Sequence, residues 1–467
     1  MDSYAEGLRQ AISSRGAKVA VVGLGYVGLP LATEIAGAGF DVRGIERDPE
    51  RTARINRGES YIADVPSERL RRVVEAGRLS AQESFQAVDG SDVVVICVPT
   101  PLDRNRNPDV QYIVNVMQQI LPHVHAGQMV ILESTSYPGT LEELVLSPVA
   151  NAGHTVGEEV FLAFSSERID PGNITYHLKD VPKVVGGVTP TCTELACLFY
   201  QMALGCVTHA VSSPSVAEMS KLIENTFRSV NVSLINELSQ LCDRMGVDIW
   251  EAIGAAKTKP FGFTAFYPGP GVGGHCIPID PVYLSWRAKQ FGFTPRFIDL
   301  ATEVNEGMPN YVVAQAMEAL NTQGKAMKDS SVLVLGVAYK KDVSDVRESA
   351  ALRVIELMQE RGAKVQYHDS FVPEIRVGAD RLRSVPLAPE TLRSTDLVVI
   401  TTDHSDVDYA LVVRHAPLIY DTRNATRDFH GPNVWRLGAP PSTGVPEKHR
   451  QQIPAPAYAG SKSPRKQ

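Results

Sequence analysis

The stretch Lys18-Val19-Ala20-Val21-Val22-Gly23-Leu24-Gly25-Tyr26-Val27-Gly28 decides the fold of the first part of the chain. A short apolar run enters a glycine-rich turn. Apolar Leu31, Ile35 and Ala36 then recur at helical spacing until Gly39 ends the pattern. A second strand, Asp41 to Ile45, ends at Glu46. Strand, turn, helix, strand and acid fall in the order of a dinucleotide-binding unit. The first glycines allow a tight turn, the later one lets helix and strand pack closely, and the helix N-terminus faces a pyrophosphate. An acid at the end of the second strand accepts hydrogen bonds from adenosine ribose hydroxyls. Glu46 therefore predicts NAD over NADP, because a carboxylate repels a 2′-phosphate. Arg47 and Arg51 pull the other way, since either could pair with one.

Further strands extend the doubly wound pattern. Asp92 to Val98 leads into Pro99-Thr100, Met129 to Leu132 into Glu133-Ser134-Thr135, and Phe161 to Phe164 into Ser165-Ser166-Glu167-Arg168. Ligands of such sheets bind outside the carboxyl ends of the strands, which predicts Thr100, Thr135 and Glu167 on the cofactor side. Each alone could be a helix cap or a turn residue.

The 467 residues exceed one core, so two or three domains are expected. Hydrophobic residues at 43% and charged residues at 21% are ordinary for a soluble enzyme. The net charge of -7 argues against a polyanion-binding surface, so no nucleic-acid partner is expected. No apolar run is long enough to span a bilayer, and Met1 to Glu6 lacks the basic and apolar regions of a signal peptide. Six cysteines, at 97, 192, 197, 206, 242 and 276, show no C-x-x-C spacing. No metal site is expected, and free thiols point to the reducing cytoplasm. Cys97 reads as an inert strand residue and Cys242 as helix packing. Only Cys276 has a setting that favours chemistry.

That setting is Gly269-Pro270-Gly271-Val272-Gly273-Gly274-His275-Cys276-Ile277-Pro278-Ile279-Asp280-Pro281. Glycines let backbone approach a ligand, and a carboxylate follows the thiol four positions later. Upstream, a helix is predicted from about Ser215 to Met245, with Met219, Ile223, Phe227, Val230 and Leu234 at helical spacing. Lys221, Asn225 and Arg228 share one of its faces. A solvated stripe would account for Lys and Arg; the Asn, a poor helix former, gains nothing mid-helix without a partner.

The third section echoes the first. Ser331 to Leu335 leads into Gly336-Val337-Ala338-Tyr339-Lys340-Lys341, followed by a helix from about Ser349 to Arg361 and the strand Lys364 to His368. It lacks the full glycine fingerprint and carries Lys340 and Arg347 instead, which suits a mononucleotide diphosphate. The expected fold is α/β, with two Rossmann-like doubly wound domains joined by a central helical domain. The expected boundaries are 1–212 for NAD binding, 213–325 for the central domain, 326–438 for the C-terminal nucleotide-binding domain and 439–467 for a Pro-, Ser- and Lys-rich disordered tail.

Three motifs, Gly23 to Pro30, Glu133-Ser134-Thr135-Ser136-Tyr137-Pro138-Gly139-Thr140 and the loop around Cys276, resemble the UDP-glucose/GDP-mannose dehydrogenase family over about residues 15–430. Thr258-Lys259-Pro260-Phe261-Gly262-Phe263 and His275 to Asp280 resemble its branch that oxidises UDP-N-acetylhexosamines. The other branches usually carry Lys where this chain has Ile279. The resemblance implies a four-electron oxidation of a sugar C6 alcohol to a carboxylate with two NAD in succession, through a thiohemiacetal and a thioester on Cys276. UDP-N-acetylglucosamine is the first expected substrate. It also implies catalytic roles for Lys221 at the oxyanion, Asp280 as base, Glu167 in water activation, and Thr135 and Asn225 in holding that water. Substrate contacts carried over are Glu167, Arg168, Ile169, Lys221, Asn225, Arg228 and Gly273, with Lys259, Phe266 and Tyr267 in a segment that helps a neighbouring subunit close the site. A homodimer follows. On the cofactor side stand Gly23, Gly25, Tyr26, Val27, Gly28, Glu46, Arg51, Thr100 and Thr135, with Lys340 and Arg347 from the C-terminal domain. His275 reads as a feature of the branch rather than a base.

The alternatives are UDP-glucose or the manno and galacto epimers as substrate, a two-electron β-hydroxyacid dehydrogenase, and a nucleotide-sugar sensor on a dead scaffold. A β-hydroxyacid enzyme has no use for a loop cysteine, and a sensor should have lost some of Cys276, Lys221, Asp280 and Glu167.

Overall fold

In the computed structural model, which describes residues 3–62, 64–168, 176–429 and 431–440, the strand Lys18–Val22 (β1) lies inside an eight-stranded sheet. The other strands are Asp41–Ile45 (β2), Leu79–Gln82 (β3), Val93–Ile96 (β4), Met129–Leu132 (β5), Phe161–Phe164 (β6), Lys183–Gly187 (β7) and Thr208–Val211 (β8). Their order is β3-β2-β1-β4-β5-β6-β7-β8, and every neighbouring pair is parallel except β6 with β7. The register pairs Val22 with Ile45 and with Ile96, Ile96 with Leu132, and Leu132 with Phe164. The strands therefore end level, and the residues that follow them emerge along one edge. Both faces are covered. Val19 and Val21 pack with Leu31, Ile35 and Phe199 on one side, and Ala20 and Val22 with Ile96, Val130 and Leu132 on the other. Burial on two faces is why these strands read as unbroken Val/Ile/Leu runs.

The chain forms two units, residues 1–231 with 272–305, and residues 232–271 with 306–467. In the second unit, Ser331–Leu335 (β9), Lys364–His368 (β10), Leu397–Ile400 (β13), Ile419–Asp421 (β14) and Val434–Arg436 (β15) form an all-parallel sheet of order β10-β9-β13-β14-β15. Glu374–Val377 (β11) and Asp380–Arg383 (β12) make a separate hairpin. The chain is thus α/β with two doubly wound sheets, as the two glycine turns predict.

The long helix runs Pro214–Met245, one residue earlier than its sequence pattern indicates. Its apolar repeat is not all core: Ile223 is 57% exposed, Phe227 54% and Leu234 50%. The tail expected at 439–467 lies outside the described residues from 441 onward, whereas Ala439 is buried and its N–H reaches the Arg436 carbonyl at 3.3 Å. Among the described residues, no helix is long and apolar enough to cross a membrane.

Candidate functional site

The glycine turn after β1 has no room for side chains. Gly23 adopts φ +86, and a Cβ on Gly28 would sit 1.8 Å from the Gly23 carbonyl oxygen. A Cβ on Gly25 would meet open space, so that face of the turn is clear for a ligand. Glu46 is buried, and its carboxylate accepts N–H bonds from Leu24 at 3.1 Å and Asp48 at 3.2 Å. Tyr61 closes the turn by donating its hydroxyl to the Leu24 carbonyl at 2.5 Å. Tyr26 is exposed and Val27 half-buried. Arg51 is exposed, 5.3 Å over the Tyr61 ring and 3.6 Å from Asp48. A bare turn, a clear helix start and a fixed strand-end carboxylate fit a dinucleotide. These residues would hold NAD, whose chemistry when bound is to accept hydride.

Farther along the edge, the Thr100 hydroxyl donates to the Thr135 carbonyl at 2.6 Å, and Tyr283 donates to the Thr100 carbonyl. Glu218, buried on the long helix, accepts N–H bonds from Gly139 at 2.6 Å and Leu141 at 3.0 Å. That joint ties the loop after Thr135 to the helix turn that presents Lys221. The helix Asp280–Gln290 brings the third element. Asn225 donates to the Asp280 carboxylate at 2.5 Å, which gives the mid-helix Asn the partner it lacked in the sequence. Burial pushes Asp280 up to about 6, against the opposing pull of Lys221 and the Asn225 hydrogen bond. Asp280 N–H in turn donates to the Cys276 carbonyl at 2.8 Å, so thiol and carboxylate share one turn of chain. Cys276 is exposed. Ile279 is buried against Tyr137 and Tyr283, so its part is packing.

Lys221, Asn225, Asp280 and Cys276 are thus brought together, and Thr100 with Thr135. Gly273 is half-buried in the same loop and Arg228 is exposed on the helix. The Arg168 guanidinium is engaged with Glu224 at 2.5 Å and the Pro182 carbonyl at 2.7 Å. Ile169 lies outside the described residues. Lys259, Phe266, Tyr267, Lys340 and Arg347 belong to the second unit. There Lys259 and Tyr267 are exposed, Phe266 and Lys340 half-buried, and Arg347 forks onto Asp345 at 2.6 and 2.9 Å.

Sequence reading passed over one cluster. Lys183 opens β7 with its ammonium 2.7 Å from both oxygens of Glu133, 3.2 Å from the Ser166 carbonyl and 3.7 Å from Glu167. Tyr200 donates to Glu133 at 2.5 Å. The only sequence signals are a charge at the end of one apolar strand and another at the start of a second, 50 residues apart.

Family models match nearly the whole chain: the NAD binding domain of the UDP-glucose/GDP-mannose dehydrogenase family over residues 17–204, its central domain over 215–307 and its UDP binding domain over 333–428. A UDP-N-acetyl-D-glucosamine 6-dehydrogenase from Pseudomonas aeruginosa is 36% identical over 76% of this chain and 83% of its own. A UDP-N-acetyl-D-mannosamine dehydrogenase from Methanococcus maripaludis is 31% identical over 90% of this chain and 94% of its own. The solved structure of a UDP-D-ManNAc dehydrogenase from Pyrococcus horikoshii superposes with a TM-score of 0.82 at 32% identity, over 90% of this chain and 99% of that one. Fold, site and relatives define an NAD-dependent oxidoreductase acting on a CH–OH group. The chain belongs to the UDP-glucose/GDP-mannose dehydrogenase family, and its substrate is a UDP-sugar.

Proposed function

We propose that the chain oxidises the C6 hydroxyl of a UDP-N-acetylhexosamine to the carboxylate in two successive NAD-coupled steps, with Cys276 holding the intermediate covalently. The observation that carries this reading is the exposed Cys276 in one turn with Asp280, which is itself fixed by Asn225 on the long helix. In the first oxidation, Asp280 accepts the hydroxyl proton through an ordered water while Lys221 stabilises the negative oxygen. The Cys276 thiolate then adds to the aldehyde carbon and the oxygen gains a proton, giving a thiohemiacetal that cannot escape. Loss of that proton and of the remaining C6 hydride leaves a thioester. Glu167 takes a proton from water as the water oxygen attacks the carbonyl, and Cys276 departs as thiolate. Thr135 and Asn225 hold that water. The products are one carboxylate and two reduced cofactors per sugar.

UDP-N-acetylglucosamine is the preferred substrate in this reading, supported by the identity to the Pseudomonas aeruginosa relative. The manno epimer is the alternative, favoured by the likeness to the UDP-D-ManNAc dehydrogenase of Pyrococcus horikoshii. A panel of the gluco, manno and galacto UDP-N-acetylhexosamines and UDP-glucose, followed by NADH release, separates them. Two NADH per sugar are expected. One NADH with released aldehyde would overturn the covalent route, as would full turnover by Cys276→Ser.

The working form is a homodimer. Ile223, Phe227, Leu234, Leu241 and Met245 lie half-exposed along one stripe of the long helix, at the spacing of a helix-on-helix seam. A second copy of the same helix matches such a stripe. Sedimentation should give twice the chain mass, and Ile223→Glu with Leu234→Glu should give the monomer.

A further inference from the structure

We propose that Lys183 is a positioning residue for Glu167: held in place by Glu133 and Tyr200, it sets a fixed cation against the Glu167 carboxylate that activates water in thioester hydrolysis. The inference rests on the reading above in which Glu167 activates water.

The cluster is built at the same sheet edge as the rest of the site. Glu133 follows β5, Glu167 follows β6 and Lys183 begins the antiparallel neighbour β7. The Glu133 side chain is 0% exposed and that of Lys183 3%, whereas Glu167 retains 16%. Burying an ion pair costs desolvation that its attraction barely offsets, so such a pair is weak support for stability alone. This pair is also over-supplied with acid. One ammonium faces two carboxylates, and a purely structural lysine needs one. The second acid is the one that keeps access to solvent. Its two oxygens are held differently: one accepts the Arg168 N–H at 2.6 Å, the other lies 3.7 Å from the Lys183 ammonium.

The remaining contacts fix the ammonium rather than the base. Glu133 grips it with both oxygens, the Ser166 carbonyl takes another donor direction, and the Tyr200 ring lies 5.0 Å beneath it. Tyr200 also donates to Glu133, which keeps that carboxylate from turning away. The thiols of Cys97, just after β4, and Cys206 also face this cluster. Burial works against the charge on Lys183, but Glu133 and Glu167, with Cys97 acting in the same sense, win and its pKa stands above the ordinary lysine value. The Lys183 ammonium is thereby fixed 3.7 Å from the Glu167 carboxylate, a cation facing the group that must act on water as an anion.

The test uses the full-length enzyme with UDP-N-acetylglucosamine and NAD. Rapid quench and intact mass follow the acyl adduct on Cys276, and its decay rate is measured against pH. Glu133→Gln removes the competing acid and leaves Lys183 to Glu167, so the acid limb of the decay rate should move to lower pH. The double variant Glu133→Gln, Lys183→Met removes the cation without stranding a buried acid. Its decay should slow about tenfold and its acid limb rise by about one pH unit, with the first NADH burst unchanged. Opposite shifts are the signature, because a merely structural role would move neither limb. Unchanged limbs, or shifts in the same direction, overturn the proposal. Should the double variant fail to fold, Glu133→Gln alone decides: no shift, or an upward one, overturns it. A wild-type enzyme that forms no acyl adduct fails differently, removing the thioester reading itself.

Discussion

The acid that closes β2 in the first sheet, Glu46, and the acid that closes β10 in the second, Asp369, stand at matching places. Each accepts the N–H of the residue after the turn glycine, Leu24 for Glu46 and Val337 for Asp369. Gly23 and Gly336 share a positive φ of +86 and +79. Beyond that they diverge. Asp369 also accepts N–H bonds from Ala338, Phe371 and Val372 and meets His404 Nε2 at 3.0 Å. The N–H of Asp342 donates to His404 Nδ1, so Nε2 carries the ring proton and points it at Asp369. A carboxylate offers about four lone-pair sites, and five donors already claim those of Asp369. Glu46 has two protein donors and capacity to spare for ribose hydroxyls. The same βαβ start thus serves a dinucleotide in one sheet, and in the other spends its acid on internal packing. A nucleotide bound there must be recognised by other groups, which suits the UDP binding domain matched over residues 333–428.

The hardest blow to the first sheet is Gly28→Ala, whose new methyl would meet the Gly23 carbonyl at 1.8 Å. NADH affinity, read by fluorescence titration, should fall about a hundredfold or more; near-normal binding would mean the turn is no fixed cradle. The corresponding place in the second turn already holds Lys341. Next in size is Asp369→Asn, which leaves backbone donors without an anion and should cost about 2 kcal/mol of stability with the KM for NAD unchanged. Burial raises the energy of the Asp369 anion, but the His404 hydrogen bond and the backbone donors outweigh it and hold its pKa below the usual value. The depressed pKa makes its contribution complete above the unfolded pKa of about 4 and lost as pH falls through the folded value. Acid melting of the variant should accordingly be flatter than that of wild type. A rise in the KM for NAD would break the comparison. Glu46→Gln should raise the KM for NAD about tenfold and narrow the gap to NADP, the reverse pattern. Smallest is Arg51→Gln, an exposed site already shared with Asp48 and Tyr61. A change under about threefold is expected, and a larger one would add Arg51 to the ribose end of the site.

Much of this was legible in the chain. The first unit announces itself because each backbone demand, bare turn, helix start and strand-end acid, requires a particular residue type within about thirty positions. Lys221, Asn225 and Asp280 were legible in part: helical spacing put the first two on one face, and only the fold joined them to the third. The Glu133–Lys183 pair was illegible, because an ion pair between strands has no sequence period and Lys183 reads simply as a strand start. Asp369 was missed for a related reason. Its meaning lies in five donors spread from Val337 to His404. The apolar repeat of the long helix was seen, but periodicity reports a stripe without saying whether it faces a core or the solvent.

That helix has a mechanical consequence. Ile223 and Phe227 are exposed on the same two turns that present Lys221 and Asn225, and the seven residues from Lys221 to Phe227 are a rod of about 10 Å with no joint in it. Pressure on the outer face is therefore handed straight to the inner one. A surfactant or a badly fitted neighbour on the stripe would register first as slowed turnover, while the melting temperature still looked healthy.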